Sequence, residues 1–436
     1  MNEMTGGPHS LGPIKLARGI RPANALFFVM SALLGVCLTT YISTIQPYVL
    51  AVNLGLPNDQ QGQVSGLALF AGEIVLLVSS AFIGAFSDRI GRRGVFLGGA
   101  LLLALGYVLF AYVDTVVALV AVRMFISVGI AVVNVMVGVL MVDYPAEESR
   151  GKLVALAGIA IGIGNMLIGI IFLRLPEIYS ADGTDALTAG QLTMFTMAGL
   201  CLLLALVVRA GLKGGRPEKA QKNEPFRQRV GMGIRAGREN KRILLAYFCA
   251  FVARGDLVVI GTFYTLWLIQ AGIQSGMSPE VAATQAGIRF AMVMFAALLW
   301  APVMGWLNDH MDRAHAMGLA MGLAAVGYIG IAFVPDPFGV WMYPAMVVLG
   351  IGQISVVLAS QTLIGQESPP SYRGSVVGMF SMFGAAGILF ISSVGGWAFD
   401  AVSPLAPFIL IGIANSLLCF FSIGVARATQ PRKDYA

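Results

Sequence analysis

The sequence predicts an all-α polytopic membrane fold: twelve transmembrane helices forming two six-helix bundles related by pseudo-two-fold symmetry. Three observations carry that expectation. Of 436 residues, 57% are hydrophobic and only 11% charged, where a soluble domain carries roughly 25% charged residues. From Ala23 onward, apolar runs of about the ~20 residues that a helix needs to cross a bilayer alternate with short polar breaks. Landmarks of the first half then recur in the second at nearly one offset. A water-soluble chain of this size could not hide so much apolar surface, which disfavours soluble enzymes and nucleic-acid binders.

The first 22 residues are polar, contain Gly and Pro, and are lightly basic through Lys15, Arg18 and Arg21. No short apolar stretch with a small-residue cleavage site follows, so no signal peptide is expected. The predicted spans are 24–50, 62–87, 94–113, 115–142, 152–173, 191–211, 243–271, 281–306, 316–334, 339–362, 374–398 and 404–427. Helices are expected because each satisfies its own backbone hydrogen bonds in hydrocarbon. The chain thus divides into a cytoplasmic segment 1–22, a first bundle 23–211, a linker 212–242, a second bundle 243–427 and a tail 428–436. The linker is rich in Lys, Arg, Gln and Gly and reads as solvated, with a surface-lying helix around 225–238.

Charge sets the orientation. With a cytoplasmic N-terminus, the inner segments hold 24 of the 28 Lys and Arg, the outer loops hold Arg174 alone, and three lie within spans. Such a bias is the positive-inside pattern, and it places both termini in the cytoplasm. The formal charge of +6 is therefore a topology device and no sign of a nucleic-acid partner. Short loops and Ala/Gly/Val-rich helices suggest a bacterial inner membrane. Cys37, Cys201, Cys249 and Cys419 lie in apolar runs without disulfide or zinc-type spacing.

The turn after the second predicted span reads GAFSDRIGRR over 84–93, and the turn after the eighth reads GWLNDHMDR over 305–313. Gly84 and Gly305, like Asp88 and Asp309, are 221 residues apart, while Arg150-Gly151 and Arg373-Gly374 are 223 apart. Two landmarks at nearly one offset mean two copies of a six-helix unit, a pattern of many secondary transporters. Within the first turn, Gly84 suits a close helix approach, Gly91 allows a tight turn, and Asp88 lies four residues before Arg92, within pairing reach.

These residues carry a resemblance. The first turn resembles the inner-loop signature of the major facilitator superfamily, and the second resembles its degenerate partner. Arg123 followed by Gly129 resembles the superfamily's fourth-helix arginine motif, although the usual second glycine is Ile, Ala or Val here. The resemblance covers the whole transmembrane region and names no substrate. It implies a latch on the inner side, in which Asp88 faces the start of the eleventh helix near Gly374 and Asp143 completes a charge relay. Gly84, Asp88, Gly91, Arg92, Arg93, Asp143 and Arg150 are its expected gating residues, with Asp309, Arg313 and Arg373 in the second half. The plainer alternative is that these arginines only anchor topology. The fifth span has Gly158, Gly162, Gly164 and Gly169 but no proline, whereas the antiporter signature of efflux members is centred on Gly-Pro. That departure weighs against proton-antiport efflux.

Five ionisable residues fall inside predicted spans: Glu73, Arg123, Arg254, Asp256 and Arg289. They lie ~13–18 Å deep at ~1.5 Å per residue, near the midplane where such transporters keep their sites. Charge there is costly and marks function by default. Arg123 shares a face with Ser127 and Asn134, Arg289 with Gln285, and Arg254 with Tyr247 and Thr265. For each arginine the alternative is a structural pair with a nearby acid. Glu73 lies on a small-residue face with Gly62, Gly66, Ser80 and Gly84, which suits either a proton carrier or a structural seam. Asp256 points away from Arg254 on an ideal helix unless Gly255 loosens the turn.

Three positive charges against two negative favour an anionic group, since guanidinium pairs bidentately with carboxylate or phosphate. Thr39, Ser43 and Gln46 add a neutral hydrogen-bonding wall on the first span. Gln353, Ser360 and Gln361 add polar groups on the tenth, and Tyr264 and Trp267 add aromatics on the seventh. No glycine-rich phosphate loop, His/Cys cluster or defensible nucleophile–base pair is present, so no ATP engine, metal, cofactor or enzyme is expected. His9, His310 and His315 read as solvated.

The expected function is secondary active transport of a small organic solute, leaning to an anion such as a carboxylate. Arg123, Arg254, Arg289, Gln285, Asn134, Gln353, Thr39, Ser43 and Gln46 form the expected substrate site. H⁺ is the expected coupling ion, carried by Glu73 or Asp256, and the chain is expected to act as a monomer in the bilayer. The alternatives are proton-driven efflux of drug-like amphiphiles and a non-transporting membrane receptor or assembly partner.

Overall fold

The computed structural model describes residues 10–214 and 226–429. The head through His9, residues 215–225 of the linker and 430–436 of the tail lie outside the described residues. Twelve helical spans among the described residues are long and apolar enough to cross a membrane. In order they are Pro22–Val52, Asn58–Ile90, Arg92–Phe110, Val116–Asp143, Glu147–Ser180, Ala186–Gly211, Lys241–Gln274, Pro279–His310, Arg313–Ile331, Met342–Glu367, Pro370–Ala401 and Ala406–Ala428, named spans one to twelve below.

Most spans outrun their hydropathy limits, and four of them start at a polar cap. Thr115, Asp185, Asn240 and Asp312 each accept a backbone N–H from the first turn that follows, satisfying donors a helix start leaves open. Span five continues past its predicted end, through a 3₁₀ turn at Phe172–Arg174 into a short helix, Leu175–Ser180. The Phe172 carbonyl accepts from the Tyr41 hydroxyl at 3.1 Å. Spans seven and eleven contain π-helical turns at Val259–Tyr264 and Ile391–Gly395, which no hydropathy pattern foretells.

Packing divides the chain into two compact units. The first comprises Met1–Gly55, Ala71–Gln221 and Pro279–Gly287; the second comprises Leu56–Phe70, Lys222–Ser278 and Ile288–Ala436. This division departs from the linker boundary at two places, the start of span two and the start of span eight. In the first unit, span three packs on spans four and six, and span one on spans five and six. In the second, span nine packs on ten and twelve, and span seven on eleven and twelve. The same order recurs six helices later, as the sequence repeat requires. Small residues bring these helices together, since lipid offers no hydrophobic drive between them. A Cβ on Gly99 would crowd the Val132 side chain in the first unit, and one on Gly352 would stand 2.5 Å from the Ala324 Cα in the second.

Leu206, Val326, Phe333 and Phe420 are exposed, a liability in water and the expected state against lipid tails. The linker helix, Phe226–Glu239, packs on spans seven and eleven. The Tyr247 hydroxyl donates to its Gly233 carbonyl at 3.0 Å. The described part of the head, from Ser10 on, contains paired backbone. Ser10–Leu11 pairs with Ile14–Lys15 in a small antiparallel hairpin, and Leu16 bridges Pro145 beyond span four. All four cysteines are free.

Candidate functional site

In the first unit, span four carries Arg123 into the bundle, where it is only 4% exposed. Its Nη2 donates to Ser43 Oγ of span one at 3.1 Å. Its Nε and Nη1 are buried with no partner among the described residues. Gln46, nearly one turn after Ser43, is fully buried, and neither its amide nitrogen nor its amide oxygen has a partner. Ser127 is buried one turn beyond Arg123, and a Cβ on Gly72 would stand 2.6 Å from its hydroxyl. Thr39 differs, since its hydroxyl is spent on the Gly35 carbonyl at 2.9 Å, and Asn134 is exposed. Arg123, bonded to Ser43, thus keeps two open cationic nitrogens, and the open Gln46 amide lies nearly one turn along span one from Ser43. Buried polar groups are normally satisfied, so this set is arranged for an acceptor-rich ligand or for water.

In the second unit, Arg254 is exposed and lines a cleft with Leu257, Ser360, Gln361 and Phe380. Gln353 is buried on the same span as Ser360. Arg289 is buried, donates from Nε to the Pro337 carbonyl at 2.8 Å and lies 4.6 Å from the centre of the Phe338 ring. Those contacts tie it to the loop between spans nine and ten. Gln285, one turn earlier, is half-buried. Glu73 is half-buried on span two.

Gly255 does not loosen span seven, so Arg254 and Asp256 point apart as on an ideal helix. The α-helix runs unbroken through it, a Cβ there would meet Ile411 at 2.9 Å, and the ladder widens only from Val259. Consequently Arg254 stays exposed while Asp256 is fully buried against Asn415.

At the inner turn of the first unit, Arg92 pairs with Asp88 at 2.6 Å and with Asp143 at 3.2 Å. Gly91 has φ +108, a conformation that only glycine adopts readily. Arg93 reaches the Arg209 carbonyl at 3.4 Å, near the C-terminal end of span six. Two expectations are corrected here. A Cβ on Gly84 would meet nothing within 4 Å, so no close helix approach explains that glycine in this conformation. Arg150 turns back onto Glu147 in a two-pronged local pair, at 2.8 and 2.6 Å, and does not join the relay.

The second unit builds its inner cluster from other residues. Asp309 is exposed with no ion pair among the described residues, and Arg313 donates to the Thr362 carbonyl at 3.3 Å. Asp309 and Arg313 are thus not paired with each other in this conformation, and the buried ion pairs of this turn involve other residues. Arg242, 1% exposed, pairs with Asp312 at 2.8 Å and with the buried Glu367 at 3.8 Å. It also donates from Nε to Thr429 Oγ1 and from Nη2 to the Thr429 carbonyl, both at 2.9 Å. Asn240 donates to the other Glu367 oxygen at 2.9 Å. The reason lies in the capping: Asp312 occupies the N-cap of span nine, which leaves Arg313 inside the helix and Asp312 turned towards Arg242. Arg373 donates to the Gly365 carbonyl at 3.0 Å.

Partial burial pushes the Asp312 carboxyl up, but the Arg242 hydrogen bond and charge and the His315 and Ala314 amides outweigh it, leaving its pKa below the ordinary 3.8. A carboxylate depressed in the folded state contributes stability above its unfolded pKa and loses it as pH falls through the folded value. The second unit should therefore hold steady above about pH 4 and weaken below it. Thermal unfolding against pH checks this, and Asp312→Asn should show a smaller acid-side loss.

A further feature escapes sequence reading. The Asp400 carboxylate, at the end of span eleven, accepts from the backbone N–H of Gly62 at 2.8 Å and of Gln63 at 2.7 Å, in the first turns of span two. Gln270 of span seven donates to the Asn58 carbonyl at 3.0 Å and to Gln61 at 3.1 Å. Gly66 lies against the Ser392 carbonyl and Gly396 against that of Gly62, so close that a side chain at either would collide. Charge-assisted bonds to helix-start amides are among the stronger kind. Gly66→Val should prevent this seating. A cysteine pair introduced at Val64 and Ser393, which line one groove there, should then cross-link far more slowly than in the parent.

Comparisons with known proteins agree with this architecture. The family model described as Major Facilitator Superfamily matches residues 27–392 and again 246–435. Magnetosome protein MamH of Paramagnetospirillum magneticum is 28% identical over 93% of the chain and 92% of its own length. Magnetosome protein MamZ of the same organism is 26% identical over 92% of the chain, which spans only 62% of it. The crystal structure of the nucleoside transporter NupG superposes with a TM-score of 0.71 at 15% identity, over 92% of this chain and 98% of that one.

Proposed function

Because this chain belongs to the Major Facilitator Superfamily, and is a membrane transporter of that kind and not an enzyme, we propose that it moves a small organic anion by alternating access, driven by a proton gradient. The observation that carries the anion is Arg123: a buried guanidinium with two nitrogens that find no partner among the described residues. An unpaired buried cation is expensive, and a carboxylate offers the geometry to relieve it. Within the second unit, Arg254 lines a polar cleft of its own with Ser360 and Gln361. The protein works as a monomer with both termini in the cytoplasm of a bacterial cell, and Asp88, Arg92 and Asp143 form the inner latch.

The test is a thermal-shift panel on detergent-purified protein with small carboxylates, inorganic phosphate, sugars and lipophilic cations. A ligand of the folded state alone stabilises it by roughly 2.7 kcal/mol at a hundred times its dissociation constant. Stabilisation by carboxylates that is lost in Arg123→Gln supports the reading. Stabilisation by lipophilic cations alone overturns it in favour of amphiphile efflux.

A second reading of location is favoured by the two relatives named as magnetosome proteins: the chain resides in a magnetosome membrane. A fluorescent fusion in a magnetosome-forming host checks it. Label confined to the organelles supports it, and even envelope label restores the inner membrane.

A further inference from the structure

Asp256 has no accessible surface. One of its carboxylate oxygens accepts from Asn415 Nδ2 of span twelve at 3.0 Å, and the other, Oδ2, is buried without a partner. Asn415 is equally buried, gives its other N–H to the Ile411 carbonyl at 3.0 Å, and keeps its own Oδ1 unpartnered. Among the described residues no cation pairs with this carboxylate. Tyr328 of span nine donates to the Asp256 main-chain carbonyl at 3.1 Å and leaves the carboxylate alone. Span eleven presents Ile391 beside Gly255, and Arg254 on the same helix is exposed with its stem against Gly384. Tyr328 is thus the titratable group facing Asp256 from a neighbouring span.

An ionised carboxylate with one neutral donor in so dry a place costs several kcal/mol. One added proton removes the difficulty. On Oδ2 it turns an orphan acceptor into a donor, and Asn415 Oδ1 is the open acceptor of the same pair. Acid and amide then bond in both directions. The π-helical turn of span seven starts three residues later, at Val259, whose N–H is shared between the Asp256 and Gly255 carbonyls. Such turns are rare and frequent at functional sites, and their ladder can shift register by one position.

We propose that Asp256 and Asn415 form a proton-binding site of the second unit, with the carboxyl protonated in this conformation and giving its proton to water when span seven shifts register at the π-turn. The O–H bond of Oδ2 breaks, the proton passes to a water molecule, and the electron pair stays on the carboxylate. The site's role rests on the proton-coupled reading above; its protonation does not.

Infrared spectroscopy of the purified full chain reads the site without a substrate. A carbonyl-stretch band of a protonated carboxylic acid is expected at neutral pH, absent in Asp256→Asn and moved to higher frequency in Asn415→Leu, where the hydrogen bond is lost. Transfer to D₂O should shift the band as the acid proton exchanges. A spectrum unchanged by both substitutions overturns the proposal, as does a band that never exchanges, since a carried proton must reach water. Asn415→Leu keeps the test decisive if Asp256→Asn fails to fold. Anion uptake indifferent to a pH gradient would overturn the coupled reading and leave the protonated site standing.

Discussion

Replacing Arg242 with alanine is expected to destabilise the second unit by roughly 3–5 kcal/mol, the usual cost of breaking a buried ion pair by removing one partner. The cluster makes this the largest stability effect expected in the chain. Arg242 and Glu367 are each about 1% exposed, so without the guanidinium the Glu367 carboxylate stays buried with only Asn240 as donor. Asp312 loses its charge partner but keeps the Ala314 and His315 amides. Arg242→Lys should fall between, because an ammonium keeps the charge but cannot serve Asp312 and Thr429 together with a planar fork. Thermal unfolding in detergent measures the series. An alanine variant as stable as the parent would mean that Glu367 is neutral and the pair with Arg242 incidental.

The second large effect is on binding and has the opposite sign on stability. Arg123→Gln should weaken anion binding by about a hundredfold or more, because two charge-assisted hydrogen bonds at ~1.5–3 kcal/mol each are lost. The same change should leave the ligand-free protein as stable as the parent or more so, since it removes a buried guanidinium with two unpartnered nitrogens. A structural arginine behaves the other way, losing stability when replaced. Titration calorimetry with the best-stabilising carboxylate, set beside thermal unfolding without it, separates the two cases.

The spans were legible because hydropathy alone distinguishes a membrane helix, and Arg123 stood out because a charge in hydrocarbon contrasts with any apolar run, whereas its bond to Ser43 of span one joins residues 80 apart that only packing brings together. Helix ends were less so, as span two runs from Asn58 to Ile90, past the expected 62–87 at both ends. The inner turn illustrates both outcomes. Asp88, Gly91 and Arg92 could be placed from spacing alone, since they are local to one turn. Their second-half counterparts could not, because Arg242 finds Asp312 70 residues away and local offset points instead to Arg313. One signal was available, for Glu367 follows Asp143 by 224 residues, close to the repeat offset. Asp400 and Asn415 carried no comparable mark. Their partners, Gly62 and Asp256, lie 338 and 159 residues away, and only packing reveals such pairs. The π-turns were invisible for a related reason, as Val259–Tyr264 is as apolar as the helix around it.

The most direct measurement is uptake into proteoliposomes of the carboxylate that best stabilises the protein, with and without an imposed proton gradient. The expected result is uptake that the gradient accelerates, that Arg123→Gln abolishes, and that Asp88→Asn slows while equilibrium binding is kept. Uptake of a neutral or cationic solute that persists in Arg123→Gln, with no carboxylate transported, would contradict it.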